Sequence, residues 1–425
     1  MQRDQRFFAK RESWAVAWIA VAQLLGTSLW FSANSASDAL VKLWGLSTSE
    51  LGWLTSAVQI GFIVGTLSLS LTGLADRYRA SSIFVVGAIV GAAFNGLFAI
   101  FASGLSDALC YRFAVGVSLA GIYPMGMKLI VSWAPSRTGS ALAYLVGMLT
   151  LGTALPHGLR AVGADLNWQW VISTSSLLAL IAAAMIFALG DGPHLRRKLR
   201  DLSKSSDSGV SSSLVKNKRE ASSVAVVSVL DCYKIPKLRA AALGYFGHMW
   251  ELYTFWALIP LLLSAALDMQ TFTQTDISGL SFAIIAVGAL GCIVGGILST
   301  RWGSDRVALV SLAISCSCAM MFAFSWTFLP TLGLLGLFGL WGLTVISDSP
   351  QFSALSAQAC PSEWVGSALA IQNALGFALT VVSILVSSYL LERFGPSVAV
   401  LVLVPGPILG LCGYLSSVHL GKPLT

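Results

Sequence analysis

The sequence predicts an all-α membrane protein with twelve transmembrane helices in two pseudo-symmetric six-helix bundles. Three observations support this fold class. The 425 residues are 56% hydrophobic and only 11% charged, whereas a soluble domain carries about 25% charged residues. The apolar residues fall in long runs, and one short motif occurs in both halves of the chain.

The apolar runs are each about 20 residues or longer, which is the length a helix needs to cross the hydrocarbon core. Because lipid offers no hydrogen-bond partner to backbone amides, each run must be helical. Numbered in chain order as spans 1 to 12, the predicted helices cover residues 14–36, 50–73, 81–103, 106–133, 139–163, 167–190, 240–264, 277–299, 306–327, 330–353, 365–389 and 396–418.

Positive charge is distributed unevenly between the two sides of these spans. With the N-terminus inside, 21 of the 26 Lys and Arg residues lie in inside segments, and only Lys42 and Arg393 lie outside. Inside loops of membrane proteins are rich in Lys and Arg, so both termini are predicted to be cytoplasmic. In a bacterium the membrane would be the inner membrane. The net charge of +7 reflects the same bias and favours anionic lipid of the bilayer as a partner, with no nucleic acid expected.

A repeated motif marks an internal duplication. The two copies lie in polar breaks between apolar runs and read Gly139-Ser140-Ala141-Leu142-Ala143 and Gly366-Ser367-Ala368-Leu369-Ala370. The halves are separated by a segment rich in Ser, Lys and Arg, which is typical of a flexible linker. The predicted domains are an N-terminal bundle (1–190), a cytoplasmic basic linker (191–239) and a C-terminal bundle (240–425). Duplicated halves with a site between them are typical of transporters.

The loop after span 2 reads Leu74-Ala75-Asp76-Arg77. Together with the twelve spans and the basic middle segment, this loop makes the chain resemble the major facilitator superfamily over essentially its whole length. The nitrate and organic-anion porter branches of that family are possible distant relatives. The resemblance implies the major facilitator fold and a gating role at the cytoplasmic face for Asp76, Arg77 and, in the second copy, Arg301. Arg112-Phe113-Ala114-Val115-Gly116 is similar to a signature of proton-linked members of that family.

Span 7 carries two ionisable side chains on one face. Ionisable groups inside a membrane cost about 2.5–3.5 kcal/mol each, so each is treated as a functional candidate. Tyr245, His248 and Glu251 recur at every third residue and therefore share a face. Because burial disfavours the charged form of both an acid and a histidine, His248 and Glu251 are predicted to exchange the proton that couples to transport. The alternative is a protonated Glu251 that is hydrogen-bonded to a Tyr or Ser of another helix.

Span 4 carries two cations, Arg112 in its outer half and Lys128 in its inner half. Both are predicted to attract an anionic substrate. The alternatives are neutralisation of Arg112 by an acid such as Asp107, and snorkelling of Lys128 to the inner interface.

Prolines occur at equivalent depths of spans 4 and 10, and Pro124 and Pro350 are predicted to be hinges. Asp348 and Gln351 flank Pro350 and are predicted to contact substrate. The alternative for Asp348 is a purely structural hydrogen bond from Lys128 or a serine. Further substrate contacts are predicted for four polar or aromatic side chains, namely Trp30, Asn34, Tyr245 and Asn373.

These features predict a secondary active transporter that moves a small polar or anionic solute by alternating access with proton coupling. A multidrug or metabolite efflux pump, a lipid flippase and a non-transporting membrane sensor are the alternatives. The sequence carries no nucleotide-binding loop, metal-ligand spacing or nucleophile motif, so no enzyme activity, cofactor or metal is predicted. The expected partners are a small molecule, protons and the lipid bilayer, and the chain is expected to be a monomer. The substrate, the direction of transport and the coupling ion are left open.

Overall fold

The computed structural model describes residues 2–135, 138–163, 166–194, 231–361 and 364–420. Within these ranges the chain is helical, and helical segments occur at all twelve predicted positions. Spans 1 to 6 contain the helices Gln2–Thr27, Thr48–Leu71, Ala80–Phe101, Leu105–Trp133, Thr138–Val162 and Trp168–Leu189. Spans 7 to 12 contain Pro236–Ala266, Gln274–Trp302, Ser304–Ser325, Thr331–Thr344 with Ser349–Ala359, Val365–Phe394, and Pro396–Leu401 with Pro405–Leu420.

Eleven helices of the described residues are long and apolar enough to cross a bilayer, and the helix of span 1 is not among them. Its N-terminal half carries charged residues, and it ends at Thr27 although the apolar run continues to Ala36. The chain continues through turns, a 3₁₀ helix at Asn34–Ala36 and a short helix at Ser37–Trp44. Span 1 is therefore an interrupted helix.

Hydroxyl groups bond backbone carbonyls around the interruption of span 1. The Thr27 hydroxyl donates to the Gln23 carbonyl at 2.8 Å, and the Ser28 hydroxyl donates to the Leu25 carbonyl at 2.7 Å. The Ser35 hydroxyl donates to the Ser32 carbonyl at 2.7 Å. Bonds of this kind compete with the helical hydrogen bonds, but they also occur inside the uninterrupted helix of span 4, where Ser118 donates to the Ala114 carbonyl, so they accompany the interruption without fixing its position.

The two predicted hinges differ in structure. The helix of span 4 runs without interruption through Pro124. Span 10 is interrupted between Thr344 and Ser349, and Pro350 lies in the first turn of the helix that follows. A proline is tolerated there because the first amides of a helix have no intrahelical partner. The hinge roles of both prolines stay a prediction.

The packing of the first six spans is repeated by the last six. Span 1 packs against spans 4, 5 and 6, and span 4 also packs against spans 2 and 3. Span 7 packs in the same way against spans 10, 11 and 12, and span 10 packs against spans 8 and 9. The two sets meet mainly where span 2 contacts span 11 and where span 5 contacts span 8. These two contacts are equivalent under exchange of the halves.

Glycine contacts repeat with a constant offset of 226 residues. A Cβ atom at Gly116 of span 4 would collide with the Val58 carbonyl of span 2, and one at Gly342 of span 10 would collide with the Ile284 carbonyl of span 8. Two further glycines of spans 2 and 8 face the carbonyls of Val117 and Leu343, again 226 residues apart; they are Gly65 and Gly291. Small residues allow backbones in a membrane to approach closely. The duplication therefore extends to individual packing contacts.

Most of the predicted linker, residues 195–230, lies outside the described residues. At its first end, Asp191 Oδ1 accepts a hydrogen bond from the Ser81 amide at 2.9 Å, which attaches the chain to the N-terminal bundle. At its second end, the Tyr233 hydroxyl donates to the Ala368 carbonyl at 2.8 Å. The domain limits themselves stay a prediction.

Candidate functional site

Aromatic side chains from both bundles meet at the centre of the protein. Trp30 of span 1 is buried and packs against Phe62 of span 2, with ring centroids 5.0 Å apart. It also packs against Tyr253 of span 7 at 5.5 Å and Phe377 of span 11 at 5.8 Å. We name these rings, with those that contact them further, the central aromatic cluster: Trp30, Phe31, Phe62, Tyr123, Tyr253, Trp256 and Phe377.

Polar side chains surround this cluster. Trp30 Nε1 donates to Gln59 Oε1 at 3.3 Å. The Tyr245 hydroxyl donates to Asn373 Oδ1 at 3.0 Å, which brings together two residues that the sequence predicted as substrate contacts. Asn34, another predicted contact, donates to the Thr55 hydroxyl of span 2 at 2.7 Å, at a position that lines a separate cavity described below. The structure thus brings Tyr245 and Asn373 together beside the cluster, but not Asn34.

Arg112 lies behind the cluster, inside the N-terminal bundle. Its guanidinium donates to the carbonyl oxygens of Leu29, at 3.1 Å, and Trp30, and to the Ser32 hydroxyl at 3.1 Å. These carbonyls belong to the interrupted segment of span 1. A cation is favourable at the C-terminal end of a helix because of the helix dipole. Asp107, considered as its neutralising acid, instead accepts a bond from the Ser103 hydroxyl at 2.6 Å.

Asn95 of span 3 completes the environment of Arg112 and was not identified from the sequence. Its Oδ1 accepts bonds from Ser32 at 2.8 Å and Arg112 at 3.2 Å, and its Nδ2 donates to the Ile172 carbonyl at 2.9 Å. A lone asparagine in an apolar run carries little information about its partners. The only signal in the sequence is that a polar side chain at mid-span needs hydrogen-bond partners.

His248 is paired with Asp348 and not with Glu251. The Nδ1 atom of His248 in span 7 lies 2.8 Å from Oδ1 of Asp348 at the interruption of span 10, and both side chains are buried. The rings of His248 and Tyr245 are 6.0 Å apart. The ionisable pair therefore lies next to the Tyr245–Asn373 hydrogen bond.

Glu251 lies in a separate pocket within the C-terminal bundle. Its Oε1 accepts a bond from Trp341 Nε1 of span 10 at 2.6 Å, and its Oε2 accepts one from the Ser315 hydroxyl of span 9 at 2.9 Å. The side chain is 1% exposed. This geometry corresponds to the alternative in which a carboxyl group of span 7 is bonded to a serine of another helix.

The remaining predicted residues lie toward the predicted inner face or beside the interruption of span 10. Lys128 donates to the Ala75 carbonyl in the short helix Leu74–Arg77 that connects spans 2 and 3. Arg77 and Arg301 are exposed, and the side chain of Asp76 lies outside what the structure describes. Gln351 is buried one turn after Asp348.

Two buried amides near the inner half have no hydrogen-bond partner among the described residues. They are Gln23 of span 1 and Gln372 of span 11. Buried amide groups without partners are rare because their desolvation is costly. Neither residue was predicted as a substrate contact, although Gln23 lies on the polar stripe of span 1 with Trp30 and Asn34.

At the predicted outer face the two bundles are in contact. The amide and the hydroxyl of Ser49, at the start of span 2, donate to Glu392 Oε2 of span 11 at 2.9 and 2.6 Å. One turn further along span 2, Gly52 lies against Ser388. The central aromatic cluster is therefore closed off from that face along spans 2 and 11.

Comparison with known proteins agrees with this architecture. The family model of the Major Facilitator Superfamily matches residues 19–380. The chain is 30% identical over 128 residues to the niacin transporter NiaP of Acinetobacter baylyi, covering 28% of each chain. It is 27% identical over 152 residues to the 4-hydroxybenzoate transporter PcaK of Pseudomonas aeruginosa, covering 35% of this chain and 33% of that one. The matches thus span about a third of the curated relatives.

Solved structures match over nearly the whole length. The xylose transporter XylE from E. coli gives a TM-score of 0.69 at 13% identity, covering 97% of this chain and 100% of that one. The nucleoside transporter NupG gives 0.69 at 12% identity, covering 96% and 100%. At such identity the likeness concerns the fold alone, and the predicted fold class is confirmed.

Proposed function

Because the chain belongs to the Major Facilitator Superfamily, we propose that it is a secondary transporter that carries a small aromatic carboxylate across the membrane by alternating access. The observation that supports this substrate class is the central aromatic cluster, in which Trp30 of one bundle is enclosed by Tyr253 and Phe377 of the other. Aromatic rings bind other rings by offset or edge-to-face stacking, which is worth about 0.5–1.5 kcal/mol per pair. Two of the relatives carry single-ring acids by name, niacin and 4-hydroxybenzoate.

The position of the cluster between the two bundles supports this proposal. Its rings come from spans 1, 2 and 4 of one bundle and spans 7 and 11 of the other. Sites between duplicated halves become accessible from either side when the halves rock about them. A solute ring would take its place between Trp30 and Phe377 when the bundles part, and would be enclosed when they close.

Neutral hydrogen-bond donors would receive the carboxylate. Gln59, Tyr245 and Asn373 lie beside the rings, whereas the guanidinium of Arg112 already bonds backbone carbonyls. In this proposal Arg112 assists by holding the carbonyl of Trp30 in place. Hydrogen bonds to a charged group are stronger than those between neutral groups, so a few well-placed amides and hydroxyls suffice.

Proton coupling is assigned in this proposal to buried ionisable groups of spans 7 and 10. The His248–Asp348 pair is the first candidate, because it adjoins Tyr245 and lies where span 10 is interrupted. Glu251 is the second candidate, one turn from His248 on the same helix. Ionisable side chains at membrane depth are costly and commonly mark proton pathways.

The test is uptake by the purified full-length chain in proteoliposomes. Radiolabelled 4-hydroxybenzoate, nicotinate and xylose would each be supplied with and without a pH gradient. The expected result is saturable uptake of the two aromatic acids, stimulated by the gradient, and no uptake of xylose. Uptake of xylose with exclusion of both aromatic acids would overturn the substrate class.

A further inference from the structure

A separate cavity of about 250 Å³ opens at the predicted outer face. It lies between the ends of spans 1, 5, 7 and 8, which the predicted topology places on the same side of the membrane. Its polar wall includes Asn34, Lys42, His157, Ser264, Gln274 and Ser278. None of the seven rings of the central aromatic cluster lines it. The cavity is thus separate from the central aromatic cluster.

His157 is the feature that marks this cavity as a site. The side chain is 1% exposed, and its Nε2 atom has no hydrogen-bond partner among the described residues. An unsatisfied buried polar atom costs about 1–3 kcal/mol. A polar group bound in the cavity would remove that cost.

The charges around the cavity favour an anion. Asp38, the acidic residue of the lining, is held by Arg160 at 3.1 Å. Lys42 is exposed at the rim. With the carboxylate of Asp38 neutralised, the cavity presents an ammonium group, a histidine, amides and hydroxyls. These groups can donate hydrogen bonds to a carboxylate.

Four apolar residues also line the cavity, and we name them its apolar wall: Val41, Pro260, Leu261 and Ile277. Ligand pockets usually measure about 300–1,000 Å³, and this cavity is slightly smaller, so its volume suits a molecule of one ring. A cavity that combines apolar side chains with hydrogen-bond donors matches a small amphiphilic acid.

We propose that this cavity is an outer binding site for a small organic carboxylate, in which His157 and Lys42 hold the carboxylate and the apolar wall takes the ring. It rests on the proposed function only in identifying that ligand with the transported solute. Solute bound there would lie beside spans 1 and 7, which also supply Trp30 and Tyr253 to the central aromatic cluster.

The experiment separates the two sites. Binding of radiolabelled 4-hydroxybenzoate is measured on the full-length chain in nanodiscs, in a Trp30→Ala background that weakens the central site. His157→Ala and Lys42→Gln are expected to weaken the remaining binding about tenfold, which corresponds to loss of one hydrogen bond to an ion. Ser278→Phe, which fills the cavity, is expected to abolish this binding.

His194→Ala, at the predicted inner face, is the matched control and is expected to leave the binding unchanged. Neutral 4-hydroxybenzamide is expected not to compete.

The second readout is the uptake of 4-hydroxybenzoate into cells by the same variants with Trp30 retained. The three variants are expected to raise the KM for 4-hydroxybenzoate from the outside about tenfold, with the maximal rate and the efflux KM within twofold. Folding is checked by elution profile and melting temperature. If His157→Ala does not fold, Lys42→Gln and Ser278→Phe decide.

The outcomes distinguish this inference from the proposed function. Folded variants that bind the acid as the parent does overturn the outer site, even when transport is found. An equal rise of KM for uptake and efflux also overturns it, because an outer site acts from one side. Binding that depends on His157 and Lys42, in a chain that moves neither aromatic acid, supports the outer site and removes the proposed transport.

Discussion

His248 Nδ1 and Asp348 Oδ1 are 2.8 Å apart in the interior of the C-terminal bundle. The pair joins span 7 to the point where the helix of span 10 is interrupted, between Thr344 and Ser349. In the proposed mechanism, this contact links the protonation of the two side chains to the position of the helix Ser349–Ala359, the second helix of span 10. The proposed coupling of protons to bundle movement depends on this link.

Asp348→Asn is expected to lower gradient-driven uptake of 4-hydroxybenzoate at least tenfold while exchange of labelled for unlabelled solute continues. Asparagine preserves the size of the side chain but cannot release a proton. The measurement is uptake and counterflow in proteoliposomes, with Asp305→Asn, an exposed aspartate at the start of span 9, as the control. Equal stimulation by the gradient in both variants would remove Asp348 from the coupling pathway.

Glu251→Leu is expected to lower the free energy of unfolding by about 1–3 kcal/mol, because a side chain of similar size without oxygen atoms leaves the buried donors of Trp341 and Ser315 without their acceptor. The measurement is the melting temperature of the purified protein. Ser315→Ala, which removes one donor, is the companion variant and is expected to destabilise less. A normal melting temperature with loss of proton-driven uptake would instead identify Glu251 as the coupling group, as the sequence analysis predicted.

Trp30→Ala is expected to raise the KM for 4-hydroxybenzoate about tenfold, since a substrate ring loses its stacking partner. Trp30→Phe is expected to keep the KM within about threefold. Trp53→Ala, a half-exposed tryptophan of span 2 that lies outside the cluster, serves as the control. An unchanged KM in Trp30→Ala would argue against the central aromatic cluster as the binding site.

Arg112→Gln is expected to lower stability by about 3 kcal/mol, because it leaves the Leu29 and Trp30 carbonyls without donors. Arg112→Lys is expected to be destabilised as well, since a single ammonium cannot replace the fork of a guanidinium. The control is Arg79→Gln at an exposed position. If Arg112→Gln instead melts at the temperature of the parent protein but no longer binds the anion, Arg112 attracts the anionic substrate, as predicted from the sequence.

Gly116→Ala is expected to reduce the yield and melting temperature of the protein, because its Cβ would overlap the Val58 carbonyl of span 2. Gly342→Ala is expected to have the same effect in the second half. Gly336→Ala, where a Cβ meets no atom within 4 Å, is the control in the same span as Gly342. If Gly116→Ala and Gly336→Ala have the same melting temperature, the repeated glycine contacts do not contribute to the stability of the protein.

Much of the fold follows from the sequence because its causes are local. The length and apolarity of each run predict a helix wherever the chain must cross lipid, and the family model and structural matches confirm the family and the fold class. The offset of 226 between Pro124 and Pro350 already indicated the duplication that the glycine contacts display. The interruption of span 1 was not predicted, since serines after Thr27 are compatible with a helix, as Ser118 in the continuous helix of span 4 shows.

The partners of the buried polar groups were decided by the tertiary structure alone. Periodicity shows that His248 and Glu251 share a face of span 7, but it carries no information on which neighbouring helix supplies a partner at each level. The choice of partner depends on how spans 9 and 10 cross span 7. The partners of Glu251 are 64 and 90 residues away in the chain, and contacts over such separations leave no local pattern in the sequence. The sequence by itself determined the helices, the duplication and the rarity of buried charge, because each follows from the cost of placing a residue in lipid. The pairing of those charges followed from packing, because it depends on distances between helices that no single segment contains.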